Sequence, residues 1–413
     1  LLGAVAGWAS EPSRALLEEG TRHLEERRYQ QAIQAFERAL GVSPGSRAAS
    51  EGLARAHAGL GVEFTNSGEH RSAREAFERS LRAAEDSIAR FGLGYLDFLE
   101  LRDGPARDNL ERVLAGDSRD GRAWKLLALI DYRRGEGAAA LRGMARAAEL
   151  TPDDAEARAL EARWRVEAGL FRDLASSRTR HFLVRSDPSI HPEALREILT
   201  LLEGIHDAVG QALGHWPKLE VPVVLLGQKE FAAATGSRHW VGGVYDGQIK
   251  VPVQPEEARP GAARKLLMRT LRHEYTHALV KEICPGCPNW LNEGIAQYFE
   301  LEESRDPTSG AAKERAARLE RLKGALQGAA GRRLPLEKIP ARMSEISDEG
   351  LAQLTYMEGL GFVAYLAENH RAFRLRLLLA ACQREGSLGR AFEITYGSSL
   401  GELEARWWRS VVD

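Results

Sequence analysis

The sequence has few cysteines and no long hydrophobic run, and both absences limit the kind of protein it can be. Its 413 residues include only three cysteines, Cys284, Cys287 and Cys382. That number is too small for a disulfide framework or for a four-cysteine zinc ribbon. No stretch approaches the roughly 18 consecutive apolar residues of a membrane-spanning helix, so the sequence predicts no integral membrane segment.

An excess of charge of one sign is also missing. The chain has 57 Lys and Arg against 59 Asp and Glu, a formal net charge of −2. Nothing in this balance favours nucleic acid or an anionic membrane surface, and we expect no nucleic-acid partner. The 44% hydrophobic and 28% charged content is that of globular proteins. At about 150 residues per domain, the length predicts two or three domains.

The first residues, LLGAVAGWAS, have the pattern of the end of a signal peptide. They are apolar, and the small residues Gly7 and Ala9 stand where a cleavage signal has them, although an initiator Met and a basic region are missing. The alternative is the apolar start of a helix. We therefore expect a signal-peptide remnant over residues 1–12 and an exported protein, periplasmic or secreted, with a cytoplasmic protein as the alternative.

Small and aromatic residues recur at an interval of about 34 in the first part of the chain. The recurring positions are Gly20, Ala32, Phe36, Ala39 and Pro44; Gly61, Ala73, Phe77 and Ser80; Gly94, Ala106, Leu110 and Val113; and Trp124, Leu127, Ala128, Ala140, Met144, Ala147 and Pro152. This pattern resembles the tetratricopeptide repeat (TPR), in which small residues let two antiparallel helices approach and an aromatic fills the groove between them. The longer step from Ala32 to Ala73, 41 residues, predicts an insertion in one connection.

We predict an α-solenoid of four TPR-like helix pairs over residues 13–172, with a helix at about Asp153–Gly169 covering its end. The resemblance implies a concave face that holds a peptide or a protein partner. The alternative is a platform that only stabilises or spaces the rest of the chain. The two interpretations are left open here.

Short β-rich runs replace the helical pattern after Arg178. HFLVRS and VPVVLLG are predicted strands separated by a helical stretch at Pro192–Leu213, and GGVYDGQIKVPV predicts a strand pair. From Ala262 onward the pattern is almost entirely helical. We interpret the polar segment Leu301–Lys338 as an excursion or a lid. The sequence thus predicts a second, α+β domain over residues 178–413, with the boundary near residues 172–180.

The predicted helix Lys265–Glu282 contains the pattern H-E-x-x-H at residues 273–277. Positions i and i+4 of a helix differ by about 40° around the axis, so His273 and His277 project from one face and can hold one metal ion. Glu274 is rotated by about 100° from His273 and can reach a metal-bound water without competing for the metal. The alternative is a buried helix whose polar residues satisfy one another.

A carboxylate follows in the next predicted helix, WLNEGIAQYFE. Glu293 comes after a turn at Pro285–Pro288, which allows it to return across the first helix as a third ligand. Two imidazoles and one carboxylate leave a fourth position for water, as catalytic zinc requires. The sequence therefore predicts a Zn2+ site formed by His273, His277 and Glu293.

With these residues in place, residues 180–413 resemble the gluzincin metallopeptidases, in particular the peptidase MA-like domain that often follows TPR repeats. The WLNEGIAQYFE helix is similar to that of aminopeptidase-N-like enzymes, and LGRAFEITYGSSLGELEARWW resembles the end of the MA-like domain. The resemblance implies that Glu274 moves the proton of the attacking water to the leaving nitrogen. It also implies that Tyr356, in TYMEGLGFVAYL, steadies the oxyanion; the alternative for Tyr356 is a packing role in the core.

Three departures from that family limit the expected activity. Residues 278–292 between His277 and Glu293 form a slightly shorter gap than in aminopeptidase-N-like enzymes, and no G-x-M-E-N motif is present, which favours an endopeptidase. Gln297 stands where some gluzincins have an aspartate. The carboxylate that orients a ligating histidine must therefore come from elsewhere or be replaced by an amide.

Other residues near the predicted site have open interpretations. Cys284 and Cys287, in CPGCP, are predicted to form a structural disulfide in an exported protein and free thiols in a reducing compartment; a redox pair and a metal clamp are the alternatives. Cys382 is interpreted as a buried small hydrophobe. Three more features are assigned to the cleft: an edge strand at Gly242 and Gly243 that pairs with substrate, and His239 and Trp240, for which packing roles are the alternative.

These observations together predict a TPR-like α-solenoid joined to an α+β gluzincin metallopeptidase-like domain. The predicted function is zinc-dependent hydrolysis of peptide bonds in a peptide or protein substrate, with the repeats docking the substrate or a protein partner. The alternative is a TPR binding scaffold whose peptidase-like domain holds zinc without catalysis.

Overall fold

The structure, a computed structural model, describes residues 11–236, 242–261, 263–300, 310–328, 333–340, 346 and 348–412. The chain divides into two compact units, Leu1–Ile130 with Ala139–Glu161, and Asp131–Ala138 with Ala162–Asp413. This division comes earlier than the predicted boundary near residues 172–180. The reason is that Trp164 stacks on Tyr132, with ring centroids 4.3 Å apart, and both belong to the second unit.

The first unit consists of helices arranged as consecutive pairs. Helices α1 and α2, α3 and α4, and α5 and α6 pack against each other, and each pair also packs on the next. Its helices are α1 Glu11–Glu25, α2 Tyr29–Val42, α3 Arg47–Asn66, α4 His70–Ala83, α5 Ser87–Leu99 and α6 Asp103–Gly116, most of α7 Gly121–Arg133 and α8 Gly137–Leu150, and the first part of α9 Ala155–Leu170, which from residue 162 onward belongs to the second unit. This is the helix-pair architecture of TPR-like proteins, and the predicted repeat fold is confirmed at this level.

Aromatic rings packed on glycines explain the recurring pattern. A Cβ atom at Gly20 would lie 2.8 Å from the ring of Phe36, and one at Gly52 would lie 2.4 Å from the same ring. The ring of Phe77 would be 2.5 Å from a Cβ at Gly61 and 2.3 Å from one at Gly92. Because real Cβ contacts are not this short, only glycine allows each ring to lie between two neighbouring helices.

The predicted insertion in a connection is wrong, because the additional residues lie in a helix. Helix α3 has 20 residues, whereas the corresponding helix α5 has 13. The connections on either side of α3 are short, residues 43–46 and 67–69. The difference is about two turns of helix. As a result, Gly52 in α3 faces Phe36 of the preceding pair while Gly61 faces Phe77 of its own pair.

The second unit contains a five-stranded mixed sheet. Its strands are β1 Ala175–Arg178, β2 Phe182–Ser186, β3 Val221–Leu226, β4 Val244–Tyr245 and β5 Ile249–Pro252, in the order β1-β2-β3-β5-β4. Strands β2, β3 and β5 are parallel, and the two outer strands are antiparallel to their neighbours. All six residues of β3 are buried, as a continuous apolar run predicts for a central strand. Strand β1 had no counterpart in the sequence prediction.

Helices cover the sheet and build the core around it. They are α10 Pro192–Leu213, α11 Gln228–Thr235, α12 Ala263–Ile283, α13 Asn289–Glu300, α14 Gly310–Gly328, α15 Glu349–His370, α16 Phe373–Glu385, α17 Leu388–Tyr396 and α18 Leu400–Val412, with a short 3-10 turn at Leu336–Lys338. The predicted helix at residues 192–213 is confirmed as α10. Among the described residues, no helix has the length and apolar content needed to cross a membrane.

The segment interpreted as an excursion or lid contains a helix that belongs to the core. Leu322 and Leu326 of α14 are buried and lie in the main hydrophobic cluster of the second unit. The backbone N–H of Leu336 donates to the carboxylate of Glu404 in α18. The described part of the segment is therefore packed rather than lid-like. Residues 301–309 and 329–332, and residues 1–10 of the predicted signal-peptide remnant, lie outside the described residues.

Candidate metal centre

Helices α12 and α13 bring the three predicted ligands together. The Nε2 atoms of His273 and His277 are 3.1 Å apart. Glu293 approaches both, with its Oε2 atom 3.6 Å from Nε2 of His273 and its Oε1 atom 3.6 Å from Nε2 of His277. Helix α12 ends directly before the turn that contains Pro285, and α13 begins directly after Pro288, so the chain reverses within a few residues.

The outer nitrogens of both imidazoles face hydrogen-bond acceptors. The Nδ1 atom of His277 is 3.0 Å from Oδ1 of Asn292, and Nδ1 of His273 is 3.6 Å from Oε2 of Glu300. Because these partners accept, the proton of each neutral ring is held at Nδ1 and each Nε2 carries a lone pair. Two nitrogen lone pairs and a carboxylate therefore converge on one point, an arrangement that only a cation or an added proton stabilises.

The ligand atoms of the three residues lie within 4.8 Å of one another, near the spacing around one tetrahedral cation. Nitrogen and oxygen ligands about 2.0–2.1 Å from tetrahedral zinc lie about 3.3–3.4 Å from one another. The two Nε2 atoms are 3.1 Å apart, and each lies 3.6 Å from its nearer carboxylate oxygen of Glu293, which is Oε2 for His273 and Oε1 for His277. Within the described part of the chain, these three residues are the one group of His, Cys, Asp or Glu side chains whose ligand atoms converge in this way.

The electrostatics of the cluster also favour a positive charge. Burial works against protonation of His273, but its hydrogen bonds with Glu293 and Glu300 outweigh that effect and raise its pKa to about 10. Burial opposes ionisation of Glu293, yet contact with His273 and the charge of His277 bring the pKa of this carboxylate below its usual range. Burial lowers the pKa of His277. In the absence of a metal, a proton on His273 therefore takes the place of a cation.

Sequence reasoning missed Asn292 and Glu300, which orient the two histidines. The sequence predicted that the group orienting a ligating histidine comes from a position other than Gln297 or is an amide. Glu300 is a carboxylate at another position, and Asn292 is an amide. Glu300 lies two helical turns after Glu293 on the same face of α13, and this spacing was the signal that could have identified it. Arg318 of α14 in turn holds Glu300, with its Nη1 atom 3.1 Å from the Oε1 atom of that carboxylate.

Glu274 lies beside the cluster and is almost completely buried, with 5% exposure. Burial is the main reason that its pKa rises to about 7, with the charge of His273 opposing the rise and that of Glu293 adding to it. A Cβ at Gly243 would lie 2.7 Å from Cγ of Glu274. The space at Gly243 is therefore occupied by Glu274, and the pairing of this strand with substrate stays a prediction. The predicted cleft residues His239 and Trp240 lie outside the described residues.

Close packing of α13 on α15 places Tyr356 near the cluster. A Cβ at Gly294 would lie 2.5 Å from the carbonyl oxygen of Gly359, and a Cβ at Gly359 would lie 2.6 Å from that of Trp290. The two backbones therefore touch, and Tyr356 comes one helical turn before the contact. Burial and the charge of Glu293 raise the pKa of Tyr356. Its phenol is half-buried and close enough to Glu293 for the charge of that carboxylate to act on it.

All three cysteines are free thiols, so the predicted disulfide between Cys284 and Cys287 is not formed. Cys284 interacts with Cys287 and with Cys382, and the hydrogen bond with Cys287 is the main reason that the pKa of the Cys284 thiol rises to about 12. Cys382 is buried, as predicted. A raised pKa is the opposite of what a redox nucleophile needs. The group therefore gives no support to a thiol-disulfide enzyme.

A second polar cluster of the same unit surrounds Lys250, whose side chain is fully buried. Its Nζ atom donates to the Tyr132 hydroxyl at 2.6 Å, to Oε1 of Glu167 at 2.8 Å and to Oδ2 of Asp246 at 2.7 Å. The Tyr132 hydroxyl lies 2.8 Å from Oε2 of Glu167. All three donors of the ammonium group thus have acceptors, and sequence reasoning identified none of these residues.

Comparison with known proteins finds similarity only to solved structures. No family model matches the chain, and no curated protein does. YrrB, described as a TPR protein with an unusual peptide-binding site, has a TM-score of 0.30 and 18% identity over 39% of this chain and 86% of its own. The MamA protein has a TM-score of 0.28 and 17% identity over 41% of this chain and 99% of its own. Both scores are too low to support a conclusion about this chain.

Proposed function

We propose that the second unit is a zinc-dependent endopeptidase of the gluzincin type that acts on a peptide or protein. The observation that carries the proposal is the convergence of His273, His277 and Glu293, whose ligand atoms lie within 4.8 Å of one another. Imidazole nitrogen and carboxylate oxygen are zinc ligands, and three protein ligands leave a fourth position open, as in catalytic zinc sites. When bound, zinc supplies Lewis-acid chemistry: it lowers the pKa of water and polarises a carbonyl.

Glu274 is the proposed general base. A pKa of about 7 suits a group that must gain and lose a proton near neutral pH. Glu274 accepts the proton that the attacking water loses, and the same carboxyl group then donates this proton to the leaving nitrogen. The peptide bond is hydrolysed, and Glu274 returns to its starting state.

The hydroxyl of Tyr356 is the proposed donor to the oxygen of the scissile carbonyl, on which negative charge develops. We expect Tyr356→Phe to lower kcat by about 10²–10³ because one donor to the developing oxyanion is lost. KM and zinc content are expected to stay close to those of the wild type. A variant with unchanged kcat would assign Tyr356 to packing alone.

Strand β4 supports the choice of an extended peptide as substrate. It is the outer strand of the sheet and pairs on one side with β5. Its other edge is suited to main-chain hydrogen bonds with an extended peptide, a common mode of peptide recognition. Glu274 packs against Gly243, the residue directly before β4, so a peptide along this edge passes close to the general base.

Metal analysis together with a peptide library tests the proposal. The wild type, purified without added metal, should contain close to stoichiometric zinc and cleave members of a mixed peptide library. Glu274→Gln should keep the zinc and lose activity by about 10²–10⁴, because it cannot accept the proton. Protein without zinc affinity, or Glu274→Gln with wild-type activity, would refute the proposal.

The second candidate is a binding scaffold, in which unit 1 is the working part and the zinc site does not catalyse. The helix-pair architecture and a groove of about 870 Å³ in unit 1 favour a docking role for these helices. A wild type that is loaded with zinc but inert on every peptide would favour this candidate over the peptidase.

A further inference from the structure

The groove of unit 1 is lined by both apolar and basic side chains, and the packing of the repeats does not explain the basic ones. It lies between helices α2, α3 and α4 and has a volume of about 870 Å³, within the usual range of ligand sites. Apolar side chains line part of it, among them Ile33, Leu53 and Leu60. Basic side chains line another part, His57 from α3 and Arg79 and Arg82 from α4.

His57 lines the groove with an unsatisfied polar atom. The residue is only 7% exposed, and its Nδ1 atom has no hydrogen-bond partner. A buried polar atom without a partner costs free energy, so this ring is expected to gain a partner when the groove is filled. Burial, and secondarily the charges of Arg79 and Arg82, lower the pKa of His57. The neutral ring can donate a hydrogen bond from Nδ1 without adding a buried charge, whereas Arg79 and Arg82 are exposed.

The two guanidinium groups of the groove differ from the other arginines of α4. Arg71 pairs with Glu75 at 3.4 Å, and Arg74 pairs with Asp97 at 3.0 Å. For Arg79 and Arg82, the described part of the chain offers no ion-pair partner. Among the residues that line the groove, Glu37 is the one carboxylate, so positive charge exceeds negative charge there. A ligand that brings a carboxylate would complement this surface.

We propose that this groove binds an acidic segment of a partner protein, with an Asp or Glu side chain between Arg79, Arg82 and His57. Leu53 and Leu60 lie on α3 before and after His57, so apolar contacts are available on both sides of the carboxylate. The bound segment therefore has apolar residues on both sides of the acidic one and passes through the groove rather than ending in it. This inference rests on the proposed docking role of unit 1.

Peptide arrays test the inference directly. The probe is a set of twelve-residue peptides with two central glutamates and varied Leu, Ile, Val and Ala flanks, with both termini capped so that no terminal carboxylate is present. The comparison set has glutamine in place of glutamate. The protein is the full chain carrying Glu274→Gln, which prevents cleavage during the measurement. We expect the glutamate set to bind at least about tenfold more tightly, as charge-assisted hydrogen bonds predict.

Variants of α4 locate the binding. Arg79→Gln with Arg82→Gln should reduce the affinity for the glutamate set to that for the glutamine set, whereas Arg79→Lys with Arg82→Lys should retain part of the preference. Arg71→Gln, on the same helix but outside the lining residues, is the matched control and should bind as the parent does. Circular dichroism of each variant confirms that the helices remain folded.

Three results would overturn the inference: no preference for glutamate, including no binding of either set; a preference that survives in the double glutamine variant; or an equal loss in Arg71→Gln. None of these results changes the zinc content or the hydrolysis measured with wild-type protein. Failure of this inference is therefore distinguishable from failure of the peptidase proposal.

Discussion

The second unit contains two groups of converging polar side chains that differ in one respect. Around Lys250, the acceptor atoms of Tyr132, Glu167 and Asp246 all face an ammonium group that the chain itself supplies. At His273, His277 and Glu293, three acceptors also converge, and the positive charge that faces them in the metal-free protein is a proton on His273 rather than a Lys or Arg side chain. Because buried polar groups need compensation, the first group stabilises the fold and the second group is suited to binding a metal.

Lys250→Met gives the largest expected effect and tests the first half of this comparison. Without the ammonium group, the buried carboxylate of Glu167 and the partly buried one of Asp246 have fewer partners, and we expect a loss of about 3–5 kcal/mol in the free energy of unfolding. Urea unfolding measures the loss. The exposed Lys218→Met is the matched control and should change stability by less than about 0.5 kcal/mol. Zinc content of the folded Lys250→Met protein should not change; an unchanged unfolding free energy would contradict the assigned role.

Glu293→Gln tests the second half of the comparison, the metal site. We expect it to weaken zinc binding more than it destabilises the fold. Structural zinc sites bind with about 10–16 kcal/mol over four ligands, so loss of one charged ligand should weaken zinc binding by about 10²–10³. The metal-free protein should lose only part of the stability of the cluster, because protonated His273 keeps Glu300 as a carboxylate partner. Titration calorimetry with zinc gives the affinity, and the exposed Glu320→Gln of α14 is the control. Equal zinc affinity in Glu293→Gln and the wild type would remove Glu293 from the ligand set.

Glu300→Ala should have the smallest of the three effects and sharpens the comparison further. It removes the acceptor that holds Nδ1 of His273 and leaves the ligands in place, so zinc affinity should fall by about 10–100-fold. Glu300→Gln, which retains an acceptor oxygen, should lie between the wild type and Glu300→Ala. If the two variants bind zinc equally well, Glu300 does not act through the hydrogen bond with His273.

The part of the metal site that could be predicted consists mostly of residues close together in sequence. His273 and His277 are one helical turn apart, and the prolines of the following turn make the return of Glu293 foreseeable, so local geometry was sufficient. The Lys250 group could not be predicted in this way, because Tyr132, Glu167 and Lys250 are far apart in the chain and follow no periodic pattern. The contact of Gly243 with Glu274 was not predictable for the same reason, since it is formed only by tertiary packing.

The helix pairs of unit 1 were predictable because the aromatic rings of Phe36 and Phe77 pack against glycines at a nearly constant distance in sequence. The unequal step between Ala32 and Ala73 was detected but placed in a connection. Spacing alone counts residues and does not show whether they extend a loop or a helix. Only the structure shows that α3 itself is longer.

The length of α3 restricts how this part of the protein can vary. Each residue added to a helix advances the following side chains by about 100°, so one added or deleted residue would swing Gly61 away from Phe77 while Gly52 stayed against Phe36. Changes by whole turns keep both glycines in phase with their rings. Natural variants of this helix are thus expected to differ in length by about seven residues, which is close to two full turns.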